Sequence, residues 1–561
     1  MRRHQTTVLS NDANAPVANR ASLWLTMAVH WDAARLAPRA WAVALWWRVL
    51  GKRVRARAQF APLFSASSHA YGLWLLKEPA LPIRSTRNLP PIVVLIAAGN
   101  GQDETLRSLV GQDAVVLALG TPGLLTLADA VRQIDWTEKP WLLPLAAGDL
   151  LAPKGVAAYR AAAGAADCDL ADGVADHRGA PARVIYADDD LIDGRGRRVA
   201  PHFKPAWNAE LFCHHDYLTG ASIVRASQGE LAGLAGEDWP AQLVAQLVAE
   251  SGAIRLPHVL HHRRSRPEPQ IPKAHPPAAA GAEMSPQVSV IVPTRNRVEL
   301  LRTCLEGLAR TDYPDLEIIV VDNGSDDPAT LAYLDGLDPA RHQVLRHPGP
   351  FNFSTLNNRA AELATGDLLC LLNNDIEVLE PDWLEIMVRQ ALRAEVGAVG
   401  AQLLYPDGRI QHAGVVMGIC GGAAHAHRLL QPGEEGYFRR HALPQFASAV
   451  TAACLVVQRD KFMAVGGLDE QHLAVAFNDV DLCMRLNEAG WQSLYEPRAR
   501  LVHHESVSRG LDRDPVGAAR LAGELAVLKQ RWNTGADPET EIDPWHHPQL
   551  NRFSERFVVR L

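Results

Sequence analysis

At 561 residues the chain exceeds one ordinary domain, and 47% hydrophobic with 21% charged residues is a globular balance, so two or three domains are expected. A formal net charge of -7 gives no electrostatic footprint for nucleic acid, which is not an expected partner. Seven cysteines, odd in number and never in C-x-x-C spacing, argue against a disulfide framework or a zinc site and for a reducing cytosol.

Residues 1–85 read as a helical segment rich in Trp and Arg. The first twenty lack the continuous apolar core of a secretory signal, which argues against export. Trp24, Trp31, Trp41, Trp46 and Trp47 precede the basic run GKRVRARAQF, and the longest apolar piece, AWAVALWWRVL, is too short to span a bilayer. Two readings fit: an interfacial helix on an anionic membrane surface, or a Trp face packed on the neighbouring domain. The spread of 14 tryptophans over the whole chain favours packing.

Residues 86–265 read as a first α/β domain, opening as strand, helix and strand in PPIVVLIAAGN, ETLRSLVGQ and DAVVLALG. WLLPLAAGDLLAP (141–153) has the shape of LLCLLNNDIEVLEP (368–381), and RLPHVLHHRR (255–264) that of PRARLVHHES (497–506), so the chain carries a diverged internal repeat. The first copy has Ala146-Ala147-Gly148-Asp149 where the second has Asn-Asn-Asp, and no Asp-x-Asp-Leu helix start is recognisable around Glu237–Pro240. An inactive, structural or acceptor-guiding copy is the economical reading. Asp188, Asp189 and Asp190, beside Gly-Arg-Gly, predict a solvated turn. Residues 266–286, rich in Pro and Ala without periodicity, are the expected linker.

The second copy, 287–561, carries the chemistry and ends in a helical tail. Apolar strands in VSVIVPTRNR (288–297), LEIIVVDNGSDD (316–327) and LLCLLNNDIEVLEP each close on polar residues, which is where open α/β sheets place phosphate and metal chemistry. Asp479 and Asp481 open the amphipathic helix of AFNDVDLCMRLNEAGW, and His503 and His504 end the strand of LVHHESVSRG. In this order and spacing the motifs resemble the family 2 glycosyltransferases of the GT-A fold, in particular bacterial members acting on rhamnose-rich or O-antigen-type surface polysaccharides, from Val288 to Trp532. The fold class expected is α/β: a GT-A catalytic domain with a Rossmann-like mixed sheet, preceded by a degenerate GT-A-like domain.

The resemblance implies roles at matching positions. Asp375 stands at the metal-binding motif with Asn373 in place of a frequent acid, so Asp375, His503 and waters would hold Mn²⁺ or Mg²⁺, the imidazole suiting Mn²⁺ better. Asp322 matches the position that reads the nucleobase. Thr294, Arg295, Asn296, Asn323, Asn358, Asn373 and Asn374 would border the nucleotide sugar, although Asn296 and Asn323 fit turn formers nearly as well. Asp479 would be the base that takes the acceptor hydroxyl's proton in an inverting hexosyl or rhamnosyl transfer. Asp481 is given a support role with Arg485 four residues on. The Gly-rich stretch 411–428, with His412, His425 and His427, reads as a mobile loop rather than a metal site, because no carboxylate accompanies the histidines.

Implied partners are a nucleotide-diphosphate sugar donor, a glycan or lipid-linked glycan acceptor, other glycan-assembly enzymes, and an inner-membrane surface, with a cytoplasmic location peripheral to the inner face of the plasma membrane. Two other classes compete: a non-catalytic carbohydrate-binding or scaffold protein, and a sugar-phosphate nucleotidyltransferase. Against the latter, no Gly-rich, Lys- or Arg-bearing phosphate loop follows the first strand.

Overall fold

The computed structural model describes residues 15–81, 83, 89–171, 182–277, 285–504, 515–535 and 541–561. Two mixed sheets dominate it. The first contains β1 (Ile92–Ile96), β2 (Val115–Ala118), β3 (Trp141–Leu145), β4 (Leu150–Leu151), β5 (Val184–Ile192), β6 (Arg198–His202), β7 (Ser222–Val224) and β8 (Ile254–Arg263). Their order is β2-β1-β3-β7-β5-β8-β4, with β6 on β5. The second sheet draws on β9 (Val288–Thr294), β10 (Leu316–Asp322), β11 (His342–Arg346), β12 (Leu368–Leu372), β13 (Ile376–Val378), β14 (Val396–Leu404) and β15 (Ile410–His412). After the small hairpin β16 (Val415–Met417) and β17 (Ala423–His425) come β18 (Gln445–Ala447), β19 (Cys454–Gln458) and β20 (Gln492–His503). The order is β11-β10-β9-β12-β19-β14-β20-β13, with β15 on β14 and β18 on β20.

The two orders superimpose. Strands β1 to β8 correspond in chain order to β9, β10, β12, β13, β14, β15, β19 and β20, and every pairing keeps its sense, from parallel β1·β3 and β9·β12 to antiparallel β4·β8 and β13·β20. Duplication is thus written in topology even where the residues have diverged. Each sheet is buried on both faces: Leu142 and Val184 pack on one side of the first sheet and Ile92 and Leu143 on the other, and in the second sheet Val290 and Leu372 lie opposite Ile291 and Leu371. Two-sided burial explains why strands such as VVLI and LLCLL are continuously apolar instead of alternating.

The residues after 540 lace the copies together. Glu541 pairs with Arg255, Asp543 accepts from the Met417 amide at 2.8 Å, and His547 Nε2 lies 2.8 Å from Asp188 Oδ2. Gln549 Oε1 accepts from Trp74 Nε1 at 3.0 Å, so the tail also reaches the N-terminal helices. Directly between the copies, Asn208 exchanges two hydrogen bonds with the Phe446 backbone, and Arg393 meets Glu210 at 2.6 Å.

The solvated turn expected at Asp188–Asp190 is corrected: all three lie in β5 and are fully buried. Distant residues make this tolerable. Asp188 faces His547, Asp189 is met by Lys204 at 2.8 Å and by Arg266, and Asp190 accepts from Tyr71 at 2.6 Å while His262 lies at 2.7 Å. Burial alone would lift the Asp189 carboxyl, but Lys204, Arg266 and Arg263 hold it well below the usual range. Breaking a buried pair by deleting one partner strands the other, so Asp189→Ala is expected to cost about 3–5 kcal/mol in urea unfolding. A loss below about 1 kcal/mol would show that water already solvates Lys204.

The interdomain packing face expected of the N-terminal tryptophans is also corrected in part. Trp41 and Trp47 turn inward against Ala44, Ala56 and Phe60. Trp24, Trp31 and Trp46 stay 57%, 71% and 60% exposed.

Candidate active site

Strands β9, β10 and β12 run parallel, so Thr294, Asp322 and Asn373–Asp375 emerge at one edge of the sheet. The loops there are tied to one another. Asn374 Nδ2 donates to Thr294 Oγ1 at 3.0 Å, and the Asn373 amide donates to Ala453 O at 3.0 Å. The neighbouring residue completes the link, because the Ala452 amide donates to Asp479 Oδ2 at 3.1 Å. Residues 451–453 therefore bring the Asn373–Asp375 turn and the Asp479 carboxylate, about a hundred positions apart in sequence, to the same place.

Asp375 is buried, and its Oδ1 lies 3.1 Å from His503 Nε2. His503 is oriented from both sides: Nδ1 is 2.8 Å from Gln411 Oε1, and Asn373 Nδ2 is 3.3 Å from Nε2. Gln411 Oε1 can accept an N–H at Nδ1, and Nε2 is the ring nitrogen that faces Asp375. An imidazole nitrogen and a carboxylate oxygen this close could both serve as ligands of one divalent cation. The donor set thus fits a divalent ion. Among the described residues no group of three or more His, Cys, Asp or Glu is placed to hold a metal. His504 stands apart, its Nε2 2.9 Å from Glu377 Oε2. The sequence ESVSRG after it lies outside the described residues.

Asp479 opens the helix Asn478–Glu488, entered through Phe477 at φ 61°, a left-handed conformation that costs a non-glycine residue about 1–3 kcal/mol. Its Oδ1 accepts from the Val480 amide at 2.8 Å, and burial raises the carboxyl above the ordinary aspartate range. That is the direction a general base needs, since a poised carboxylate accepts a proton more readily than a fully solvated one. The helix Pro515–Trp532 fixes this entry: both oxygens of buried Glu524 accept from the amides of Val475 and Ala476, at 2.9 and 3.2 Å. Asp481 is engaged by Arg485 at 2.8 Å, Arg531 at 2.7 Å and Trp532 Nε1 at 3.0 Å. Nothing in the local sequence marks Glu524, Arg531 or Gln411, because their partners are far away in the chain. Glu524→Ala is expected to lower turnover about 10–100-fold by letting the entry loop drift while nucleotide affinity holds. Equal losses in both would make Glu524 a general stability residue.

The other residues of the nucleotide side divide. Arg295 is exposed at the rim. Asp322 is buried, with Oδ1 accepting from the Ser325 amide at 3.1 Å and Oδ2 from Arg346 at 2.9 Å. Asn296, at φ 56°, accepts from the amides of Asp326 and Asp327, both at 3.0 Å, so it clasps two loops as a turn former. Asn323 likewise donates to His347 O at 2.9 Å, joining the turns after β10 and β11. Asn358 is not brought to the others: its amide donates to Leu468 O and Glu470 and accepts from the Leu468 amide, tethering the loop 465–470. In the Gly-rich stretch, His412 and His425 approach at 2.8 Å between Nδ1 atoms, while His427 stacks on Phe557.

The first copy differs at the matching places. Leu150 pairs with His262 as Ile376 pairs with His503, so Asp149 and His262 occupy the places of Asp375 and His503. Asp149 Oδ1 there accepts from the Arg264 amide at 2.8 Å, Arg263 lies 3.7 Å from Oδ2, and His262 has swung to Asp190. Internal guanidiniums thus stand beside the carboxylate, and the imidazole is committed elsewhere.

The fold is a mixed α/β arrangement of the GT-A type. Residues 289–460 match the family model "Glycosyl transferase family 2", and the chain carries a domain of that family. The chain is 40% identical over 424 residues to the uncharacterized protein y4gI of Sinorhizobium fredii, covering 67% of this chain and 46% of that protein. It is 35% identical over 379 residues to the O-antigen biosynthesis protein RfbC of Myxococcus xanthus, covering 59% of this chain and 29% of that protein. It is 28% identical over 258 residues to an N-acetylglucosaminyl-diphospho-decaprenol L-rhamnosyltransferase of Mycobacterium tuberculosis, covering 43% of this chain and 81% of that protein. The chain therefore spans less than half the length of the first two.

Proposed function

We propose that the protein moves a hexose, with rhamnose the leading candidate, from a nucleotide-diphosphate donor to a hydroxyl of a growing surface polysaccharide or glycolipid, with inversion. The observation that carries this reading is the convergence of Asp479, raised by burial, with the Asp375–His503 pair in the second copy only. Asp479 takes the acceptor hydroxyl's proton as that oxygen attacks the anomeric carbon opposite the leaving diphosphate, which leaves without a covalent enzyme intermediate. Thr294 and Asn374 fix the turn that borders the diphosphate, Arg295 offers positive charge at the rim, and Asp322, held by Ser325 and Arg346, borders the base. Asp375 and His503 would hold Mn²⁺ or Mg²⁺, which when bound supplies Lewis-acid neutralisation of the leaving diphosphate. The first copy serves as scaffold or acceptor guide. A lipid-linked acceptor would set the work at the inner face of the plasma membrane, on the cytoplasmic side, beside other glycan-assembly enzymes.

A panel of nucleotide sugars, screened for thermal stabilisation and for slow hydrolysis with and without Mn²⁺, tests the reading. One or two donors are expected to stabilise the protein only with the cation. Stabilisation by none, or release of pyrophosphate from a nucleoside triphosphate and a sugar phosphate, would overturn it in favour of a scaffold or a nucleotidyltransferase respectively.

A further inference from the structure

The helices α1 (Ala15–Leu36), α2 (Pro38–Val49) and α3 (Arg53–Ser65) form a small packed unit. Ala44, Ala56 and Phe60 are buried within it, and His30 stacks edge-on to Phe64 at 4.5 Å. It is anchored to the body: Asp32 accepts from Ser67 at 2.6 Å and lies 2.9 Å from His69, and the Arg57 guanidinium sits over the Phe553 ring. Its inner contacts are therefore satisfied, yet its outside carries several large apolar side chains. Trp24, Trp31 and Trp46 are joined there by Leu36, Val49 and Val54 at 64%, 72% and 59% exposure. Scattered exposed apolar residues are ordinary, but this density within three helices is not.

All but one of the charges of the same helices between residues 21 and 65 are positive. Arg35, Arg39, Arg48 and the run from Lys52 to Arg57 place seven cationic side chains at the surface between residues 21 and 65. The one carboxylate there, Asp32, is already bonded to Ser67 and His69. The whole chain carries -7, so these helices oppose the rest of the molecule in sign.

We infer that α1–α3 dock flat on a lipid bilayer bearing anionic headgroups. Tryptophan rings and arginines suit the headgroup boundary, where the apolar body is buried and the polar end stays wet. No helix among the described residues is long and apolar enough to cross, so the contact is with the surface. A second copy is a poor occupant, because a two-fold contact through this face would set its cations against themselves. A nucleic-acid backbone would match the cations but leave the tryptophans and aliphatic side chains in water. The net negative charge of the remainder would hold the body away from the same surface, orienting the site relative to the bilayer. The surface gives the proposed location a physical device and does not depend on the transferase reading.

Flotation of the full-length protein with vesicles tests it, using phosphatidylcholine alone and phosphatidylcholine mixed with phosphatidylglycerol, at low and high salt. Binding to the mixed vesicles at low salt is expected, with a marked fall at high salt and on plain phosphatidylcholine. A cation near an anionic surface contributes roughly fivefold in affinity, so R39E/R48E/R53E should reduce binding by at least about 100-fold. W24A/W31A/W46A should abolish the salt-resistant part; circular dichroism checks that both variants remain folded. Nucleotide binding by both variants should be unchanged, which separates this test from the fate of the transferase reading. No flotation with the mixed vesicles, flotation indifferent to both variants, or concentration-dependent dimerisation abolished by the tryptophan variant would overturn the proposal.

Discussion

Asp479→Asn is expected to reduce transfer about 10²–10⁴-fold, the usual cost of removing a positioned general base, while donor binding survives. The side chain keeps its shape, and its amide oxygen can still accept one of the two backbone bonds now made to Ala452 and Val480. What it cannot do is take the acceptor's proton. The pH profile supplies an independent readout. Burial raises the Asp479 carboxyl, so the acid limb of the wild-type rate should fall at a higher pH than an ordinary aspartate would give. The residual rate of the variant should lose that limb. Stability moves the other way: a carboxyl raised on folding stabilises the native state when protonated, a contribution lost as pH rises through the folded value. Removing that half-buried charge should offset the lost hydrogen bond near neutral pH, leaving the thermal midpoint close to wild type. Wild-type turnover in the variant would move the base elsewhere, but Asp481 is a weak substitute. Its two oxygens are taken up by Arg485, Arg531 and Trp532, which hold it as a structural anion.

The strands of the second sheet were legible because two-sided burial forces unbroken apolar runs, and each run stops abruptly where the backbone reaches the site edge. The turn holding Asp375 could be placed at the end of its strand for that reason, and the duplication could be read because WLLPL and LLCLL share that shape. The roles of single polar residues were less legible. Asn296, Asn323 and Asn358 are polar residues at loop or helix positions that look alike in sequence, yet all three spend their amides holding loops together. Asp188–Asp190 misled for a related reason. Three adjacent acids beside Gly-Arg-Gly have the composition of a turn, and only tertiary structure supplies Lys204, Arg266, Tyr71 and His547 to bury them. The tail after residue 540 was equally opaque, since its contacts are with segments hundreds of positions earlier. It bears on a prediction about the copies. Every proposed nucleotide contact lies after the linker, so a chain starting near Met284 should keep nucleoside diphosphate binding in calorimetry. Removing the first copy, however, strips Arg255, Asp188 and Trp74 from the tail, so a lowered melting point is expected alongside. A folded product that binds no nucleotide would show that the first copy contributes to the site.

Asp375→Ala is expected to behave differently from the Asp479 variant, lowering cation and nucleotide affinity together. Substituting a residue that merely orients a metal ligand costs about 10–100-fold in affinity. Losing a proposed ligand itself should therefore cost more than about 100-fold. His503→Ala should follow the same pattern with Mn²⁺ more severely than with Mg²⁺, because imidazole is a good ligand for the former and a poor one for the latter. Gln411 supplies the graded control. Its Oε1 lies 2.8 Å from His503 Nδ1, so Gln411→Leu removes the acceptor at that nitrogen without touching the carboxylate. An intermediate loss of about 10–100-fold is expected there, recovered in part by Gln411→Glu, whose carboxylate accepts the same N–H. Titrating Mn²⁺ and Mg²⁺ against nucleoside diphosphate binding for the four variants separates the outcomes. Should Asp375→Ala bind cation and nucleotide as wild type does, the Asp375–His503 contact is a buried ion pair of the fold, and the cation belongs to the diphosphate alone. In that event the defect of the variant would appear in unfolding and not in binding, because deleting Asp375 would leave His503 without its acid.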